Sequence, residues 1–91
     1  MTFQKSFKAL ADPTRREILE LLKEERLAAG EIVAHFDLTG ATISQHLSIL
    51  KEADLVSDFR SGKYIYYELN ISVLEELMKW FVDFQDKGEM K

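Results

Sequence analysis

Cysteine is absent from the 91 residues. That removes disulfides, zinc–thiolate centres, a thiol nucleophile and a thiol redox sensor together. Proline occurs once and glycine four times, and no low-complexity stretch stands in for them. The chain therefore has no linker and reads as a single domain over residues 1–91. No run of about 18 apolar residues exists, so nothing is expected to insert into a membrane. The opening Met1-Thr2-Phe3-Gln4-Lys5 is followed by alternating polar and apolar residues, unlike a signal peptide, and the expected compartment is the cytoplasm. A basic excess is missing too: 12 Lys and Arg stand against 16 Asp and Glu, for a net charge of −4. Phosphate binding is usually built on a basic surface, so a nucleic-acid partner would have to meet one face, with the acids elsewhere. Glu24, Glu25, Glu75, Glu76, Asp83, Asp86 and Glu89 are placed for that.

What is abundant is apolar surface. Hydrophobic residues make up 46% of the chain, and ten residues are aromatic. A lone domain of this size buries only about 60–65% of the surface its unfolded chain exposes. Such a composition points to a core completed by a second copy.

Phe3, Phe7 and Leu10 have the spacing of a short amphipathic helix. It stops at Ala11-Asp12-Pro13, where Asp12 can cap a second helix and Pro13 fits its first position. That helix is expected to reach about Lys23, with Ile18, Leu19, Leu21 and Leu22 inward, and Glu24-Glu25-Arg26 turns out of it. A third helix is expected from Ala29 to Phe36, although Ala28 and Ala29 stand where a Ser or Thr cap belongs. Thr39 caps a fourth helix that reaches about Ala53. Asp54 follows where Gly or Asn is usual. Leu55 to Arg60 and Lys63 to Leu69 are rich in aromatic and β-branched residues, and Arg60-Ser61-Gly62-Lys63 supplies a turn between them: a β-hairpin. Asn70 or Ser72 caps a last helix to about Phe84, ahead of a charged tail. The expected fold is mainly α with a β-hairpin: a winged helix-turn-helix of about five helices and a two-stranded wing.

The fourth helix carries the functional signal. Ile43, Leu47 and Leu50 cluster on one side, with His46 and Ala53 flanking them; Ala41, Ser44, Gln45, Ser48 and Glu52 lie opposite. Toward its N-terminus that outer face is small, polar and uncharged. Such a face fits the major groove and offers hydrogen bonds to base edges or phosphates. An ordinary surface helix would favour Glu and Lys over Ser and Thr. Arg60 and Lys63 flank the hairpin turn, as a wing tip touching phosphate would require; a solubilising charge pair on an exposed edge is the plainer alternative.

Ala11-Asp12-Pro13-Thr14-Arg15-Arg16-Glu17-Ile18-Leu19, Gly30-Glu31-Ile32, Thr42-Ile43-Ser44-Gln45-His46-Leu47-Ser48-Ile49-Leu50 and Tyr66-Tyr67-Glu68-Leu69-Asn70 together resemble the ArsR/SmtB family of winged-helix repressors. The likeness covers almost the whole chain in order and spacing. The short, Cys-free form with Ile-Tyr-Tyr and an aromatic last helix is similar to the SdpR-like autorepressor subgroup. The resemblance implies a homodimer that occupies a double-stranded DNA operator, in this subgroup that of its own gene. It implies DNA contacts at Thr39, Thr42, Ser44, Gln45, His46 and Ser48, with Arg60 and Lys63 on the wing. The family often has Gly at the position of Asp54 and more basic residues at those of Ser57 and Asp58.

Many such relatives sense metals through Cys pairs or through His and carboxylates on the last helix. Here the third-helix region has no thiolate and the last helix no His. Zinc needs about four N, S or O ligands, and only His35 and His46 are available. No metal site and no cofactor is expected. A constitutive repressor, or one relieved by a partner protein or ligand, both stay open. In the last helix Val73, Leu77, Trp80 and Phe84 form one stripe, and Leu74, Met78 and Phe81 an adjacent one. With Phe3 and Phe7 they make a candidate dimer interface (Phe3, Phe7, Leu74, Leu77, Met78, Trp80, Phe81, Phe84).

An enzyme is not expected. Ser44 and His46 point about 200° apart on a helix and cannot form a dyad. No glycine-rich phosphate loop or His-Glu-x-x-His run is present. The remaining alternative, kept open by the acidic balance, is a winged-helix protein-interaction module that does not bind DNA by itself.

Overall fold

A computed structural model describes residues 3–89; Met1, Thr2, Met90 and Lys91 lie outside the described residues. The first two helices, α1 (Gln4–Leu10) and α2 (Pro13–Glu24), meet at the corner Ala11-Asp12. Asp12 takes the N-cap of α2: its Oδ2 accepts the backbone N–H groups of Thr14 at 2.9 Å and Arg15 at 3.1 Å. Pro13 follows at the first helical position, where no N–H is needed. The other side of the corner has the opposite problem, because a helix end leaves carbonyls without partners. Arg15 Nε donates to the Ala9 carbonyl at 2.8 Å and Nη2 to that of Lys8 at 3.2 Å. Arg16 Nη1 donates to the Leu10 carbonyl at 2.7 Å. α1 is far too short to persist alone; these bonds and its buried Ser6 and Ala9 hold it in place.

A short strand missing from the sequence expectation comes next. β1 (Leu27–Ala28) leads directly into α3 (Ala29–Ala34). Ala28 has no side-chain oxygen with which to cap α3, and Glu31 supplies the reciprocal bond, its carboxylate accepting the Ala28 N–H at 2.8 Å. α3 ends two residues before Phe36. The N–H groups of His35 and Phe36 reach back three residues, to the carbonyls of Ile32 at 3.0 Å and Val33 at 3.1 Å. That tightened end places Phe36 in the turn.

α4 (Gly40–Glu52) starts at Thr39, whose hydroxyl accepts the Thr42 N–H at 3.1 Å and donates to the Thr42 hydroxyl at 2.9 Å. It ends in a paired Schellman closure: Leu55 N–H bonds the Leu50 carbonyl at 3.0 Å, and Asp54 N–H that of Lys51 at 2.9 Å. Asp54 has φ 60°, the left-handed region. Leu50 and Leu55, both 0% exposed, form the hydrophobic contact that accompanies the motif.

The wing is β2 (Val56–Ser61) and β3 (Tyr64–Leu69), paired antiparallel from Val56↔Leu69 to Ser61↔Tyr64. Gly62 holds the first position of the connecting turn with φ 64°, as a two-residue type II′ connection requires. β1 adds to the far side of β3 through Leu27↔Tyr67 and Ala28↔Tyr66, so the sheet has three strands in the order β1-β3-β2. The hairpin itself follows the expected segments.

α5 (Ile71–Glu89) begins with the Asn70 carbonyl accepting the Leu74 N–H at 3.3 Å, which makes Asn70 its N-cap residue. It runs past Phe84, with no proline to stop it before Glu89. The core lies where α2, α3, α4 and the sheet meet, with Ile18, Ile32, Ile43, Leu50 and Leu55 fully buried. Burying each such side chain stabilises the fold by about 1.5–3 kcal/mol. Leu77 is 4% exposed and joins this core. Beyond it α5 projects: the molecule measures 54 × 25 × 22 Å, and its radius of gyration of 14.9 Å exceeds the roughly 12 Å of a compact chain this long.

Asp54 is the one non-glycine with positive φ among the described residues. Its carboxylate also sits at the negative end of the α4 dipole. Asp54→Gly is expected to raise stability by about 1 kcal/mol, read as a higher urea midpoint at unchanged m-value. A lower midpoint would mean that the carboxylate contributes more than the backbone strain costs.

Candidate nucleic-acid interface

α3, the turn from His35 to Thr39, and α4 form the helix-turn-helix, and the β2–β3 hairpin follows as its wing. α4 turns Ile43, Leu47 and Leu50 into the core. The opposite side carries exposed Ser44, Gln45 and Ser48, with Thr42 half-buried. No acidic residue occurs on α4 before Glu52 at its end. The helix N-terminus, with its partly positive end, faces the same solvent. Acidic residues instead crowd the exposed surfaces of α2 and α5, at Glu17, Glu20 and Glu24 and at Glu75, Glu76 and Asp83.

The residues singled out from the sequence fall into three groups. Ser44, Gln45 and Ser48 share the outer face of α4. Thr39 and Thr42 are bonded to each other at its start, so Thr39 spends its lone pair on the cap. His46 lies apart: its side chain is 17% exposed, with Nδ1 3.2 Å from Arg15 Nη1 and 3.9 Å from Asp12 Oδ2. On the wing Arg60 and Lys63 are exposed, and Lys63 Nζ sits 5.7 Å from the centre of the Tyr64 ring.

Three further cations fix the geometry of this face, and none is readable as such from sequence spacing. Arg15 joins the end of α1, the start of α2 and His46 of α4. Arg26 lies over the stacked pair Phe59–Tyr66, 5.4 and 5.6 Å from the two ring centres. This ties the α2–β1 turn to the wing; a cation over aromatic faces contributes about 0.5–1 kcal/mol at an exposed site. Lys51 reaches from α4 to Asp58 on β2 at 3.0 Å. The pair is largely exposed and worth little in stability, but it joins the helix to the wing. It also accounts for the acidic residue at a wing position that is more often basic in the resembled family: Asp58 is spent on Lys51. Beside it, burial pushes the Tyr67 phenol up, Asp58 adds to the shift, and Lys51 opposes it.

Among the described residues no three His, Asp or Glu side chains converge as a metal ion would require. No helix among them is long and apolar enough to cross a membrane. The aromatic residues of α1 and α5 form a continuous ladder instead. Phe7 sits 5.5 Å from Trp80 and 6.2 Å from Phe81 between ring centres, Phe3 lies 5.8 Å from Trp80, and Phe84 lies 4.8 Å from Trp80. Much of the ladder faces solvent, with Phe84 61% and Phe81 54% exposed, and Met78 on the same helix is 62% exposed.

A helix-turn-helix with an uncharged, hydrogen-bonding outer helix and a cationic wing defines a winged-helix DNA-binding protein. The sequence pattern of the bacterial regulatory proteins of the arsR family matches residues 12–58. The chain is 49% identical to the transcriptional repressor SdpR of Bacillus subtilis over 83 residues, 91% of this chain and 92% of that protein. It is 33% identical to an arsenical resistance operon repressor of Staphylococcus aureus over 72 residues, 79% of this chain and 69% of that one. The crystal structure of an ArsR family transcriptional regulator matches with a TM-score of 0.88 over 97% of this chain and 91% of that chain, a likeness of fold at 23% identity. The chain belongs to the ArsR family and is a DNA-binding transcriptional regulator.

The Asp12 cap sets an acid limit on this face. Partial burial pulls its carboxyl upward, but the Arg15 N–H bond, His46, the Thr14 N–H bond and the Arg15 charge outweigh that and hold it below the usual value. The folded-state value thus lies below that of the unfolded chain. The stabilisation is complete above the ordinary carboxylate range and is lost as pH falls through the lowered value. Asp12→Asn keeps a capping oxygen and removes the titration. Its stability, followed by thermal melts, is expected to fall less steeply on acidification than that of the parent; parallel acid limbs would exclude Asp12 as a contributor.

Proposed function

We propose that this regulator works as a dimeric repressor that occupies an operator with α4 in the major groove of each half-site. The observation that carries the reading is the outer face of α4 over its first turns, small, uncharged and able to hydrogen-bond from Thr42 to Ser48. Ser44, Gln45 and Ser48 are the residues we assign to base edges, with Thr42 and His46 beside them and Thr39 near the phosphate at the helix start. Arg60 and Lys63 would touch the backbone or the minor groove. The dimer reading is supported by the aromatic ladder and the projecting half of α5. Phe3, Phe7, Trp80, Phe81, Phe84 and Met78 leave more apolar surface open than a small monomer usually carries, and half-buried Leu74 borders it. Leu77 belongs to the protomer core and is left out of the interface. A two-fold protein also matches a two-fold operator. The 91 residues contain no cysteine, so a thiolate-based arsenical switch has no ligands here. In this reading repression needs no metal.

Fluorescence anisotropy with a duplex from upstream of the protein's own gene, against a scrambled duplex over a salt series, tests this directly. Tight, sequence-selective, salt-sensitive binding without added metal is expected. Binding that is neither selective nor salt-sensitive would favour a protein-interaction module. In the same assay Gln45→Ala should weaken operator binding about tenfold or more and leave scrambled DNA unaffected. Lys63→Ala should weaken both and reduce the salt slope by up to about one unit; an unchanged slope would take the wing off the phosphates. Phe81→Glu, at an exposed position, should dissociate the dimer at micromolar concentration while leaving the protomer folded, as read by sedimentation equilibrium and circular dichroism. An intact dimer would move the interface elsewhere.

A further inference from the structure

We propose that Arg15 is a positioning residue for DNA recognition: it holds His46 as the Nε2–H tautomer, so that the imidazole presents a fixed hydrogen-bond donor to the duplex. The proposal rests on the reading of α4 as the recognition helix. A guanidinium has donors and no acceptor and stays charged. The 3.2 Å approach of Arg15 Nη1 to His46 Nδ1 is therefore a hydrogen bond only if Nδ1 carries no proton. In the neutral ring the proton then sits on Nε2.

The guanidinium is not free to give way, because Nε and Nη2 are bonded to the Ala9 and Lys8 carbonyls. The charged groups set against the ring nitrogen are Arg15 and Asp12. Asp12 is a poor competitor: its Oδ2 lies 3.9 Å from Nδ1, beyond hydrogen-bond range. That oxygen already accepts two backbone N–H groups.

The His46 side chain keeps 17% of its surface open to solvent. Among the described residues no buried side-chain nitrogen or oxygen lacks a partner, and no protein acceptor is bonded to Nε2. An Nε2–H on this partly open side chain, at the flank of the face that carries Gln45, matches acceptors that DNA supplies: phosphate oxygens, guanine O6 and N7, thymine O4. A histidine free to choose its tautomer would donate or accept and discriminate less. Arg15 removes that choice from a distance, without touching DNA.

Two measurements test this. In a long-range nitrogen–proton NMR spectrum of the free wild-type protein at mildly alkaline pH, His46 should show a protonated Nε2 and a bare Nδ1. A proton on Nδ1, or an even mixture, overturns the proposal whatever DNA does. The second is a double-mutant cycle in operator binding. Arg15→Lys keeps the charge and loses the planar fork; in the wild-type background it should weaken operator binding by about tenfold. In a His46→Ala background it should have no further effect. Equal losses in both backgrounds would make Arg15 a purely structural residue. His46→Gln, whose amide N–H falls near the place of Nε2–H, should retain most of the affinity that His46→Asn loses; the reverse order also overturns the proposal. If the wild type binds no duplex selectively, the functional reading falls and takes this proposal with it. If it binds and the cycle is additive, only the proposal falls.

Discussion

The corner between α1 and α2 is the constraint on which the rest of the molecule hangs. Two helix ends meet there within two residues, one with unpaired N–H groups and one with unpaired carbonyls. A run of six residues, Ala11 to Arg16, answers both: a carboxylate for the N–H groups, a proline where no N–H is wanted, and two arginines folded back on the carbonyls. The same Arg15 then touches α4 through His46. A seven-residue helix with almost no stability of its own is thereby fixed against α4, and it carries Phe7, with Phe3 just ahead of it, to the side where α5 projects. The guanidinium N–H groups of both arginines are engaged by carbonyls of the corner, although their charge is kept.

That distribution resolves the apparent conflict between an acidic chain and a nucleic-acid partner. Net charge describes the whole molecule, whereas binding samples one face. Along α4 the sequence from Thr39 to Ile49 carries no acid; on the wing Asp58 is paired with Lys51, while Glu68 stays exposed on β3. In the proposed reading the charge that steers DNA is local and modest, which leaves much of the discrimination to hydrogen bonding by Gln45 and its neighbours.

Much of the fold was legible in the sequence because it rests on periodicity and caps. The bounds of α2 and α4 followed from Asp12, Pro13 and Thr39, and the hairpin from β-branched and aromatic runs around Gly62. What escaped has physical reasons. β1 is two residues long, below any periodicity, and exists because Tyr66 and Tyr67 offer an open strand edge. α3 stops short of Phe36 because its last turn tightens, a backbone choice that no side chain announces. The apolar periodicity of α5 ends at its last aromatic residue, Phe84, whereas the helix continues to Glu89 through a polar stretch that carries no such signal. Leu77 sits in the same stripe as Trp80 and Phe84, and only the depth of the core under α5 separates it from them. On the candidate site the outward residues of α4 could be read from helical geometry. The partners of Arg15, Arg26 and Lys51 could not, since each contact joins segments distant in the chain.

The two-residue strand β1 has a consequence out of proportion to its length. It fastens the segment that opens the helix-turn-helix to the middle strand of the wing by main-chain bonds, which do not depend on side-chain identity. This main-chain pairing helps to hold α4 and the wing tip at one spacing, beside the side-chain contacts of Lys51 and Arg26 that join the same region. In the proposed reading, substitutions on the outer face of α4 change the operator that is read while this main-chain pairing keeps the spacing between helix and wing.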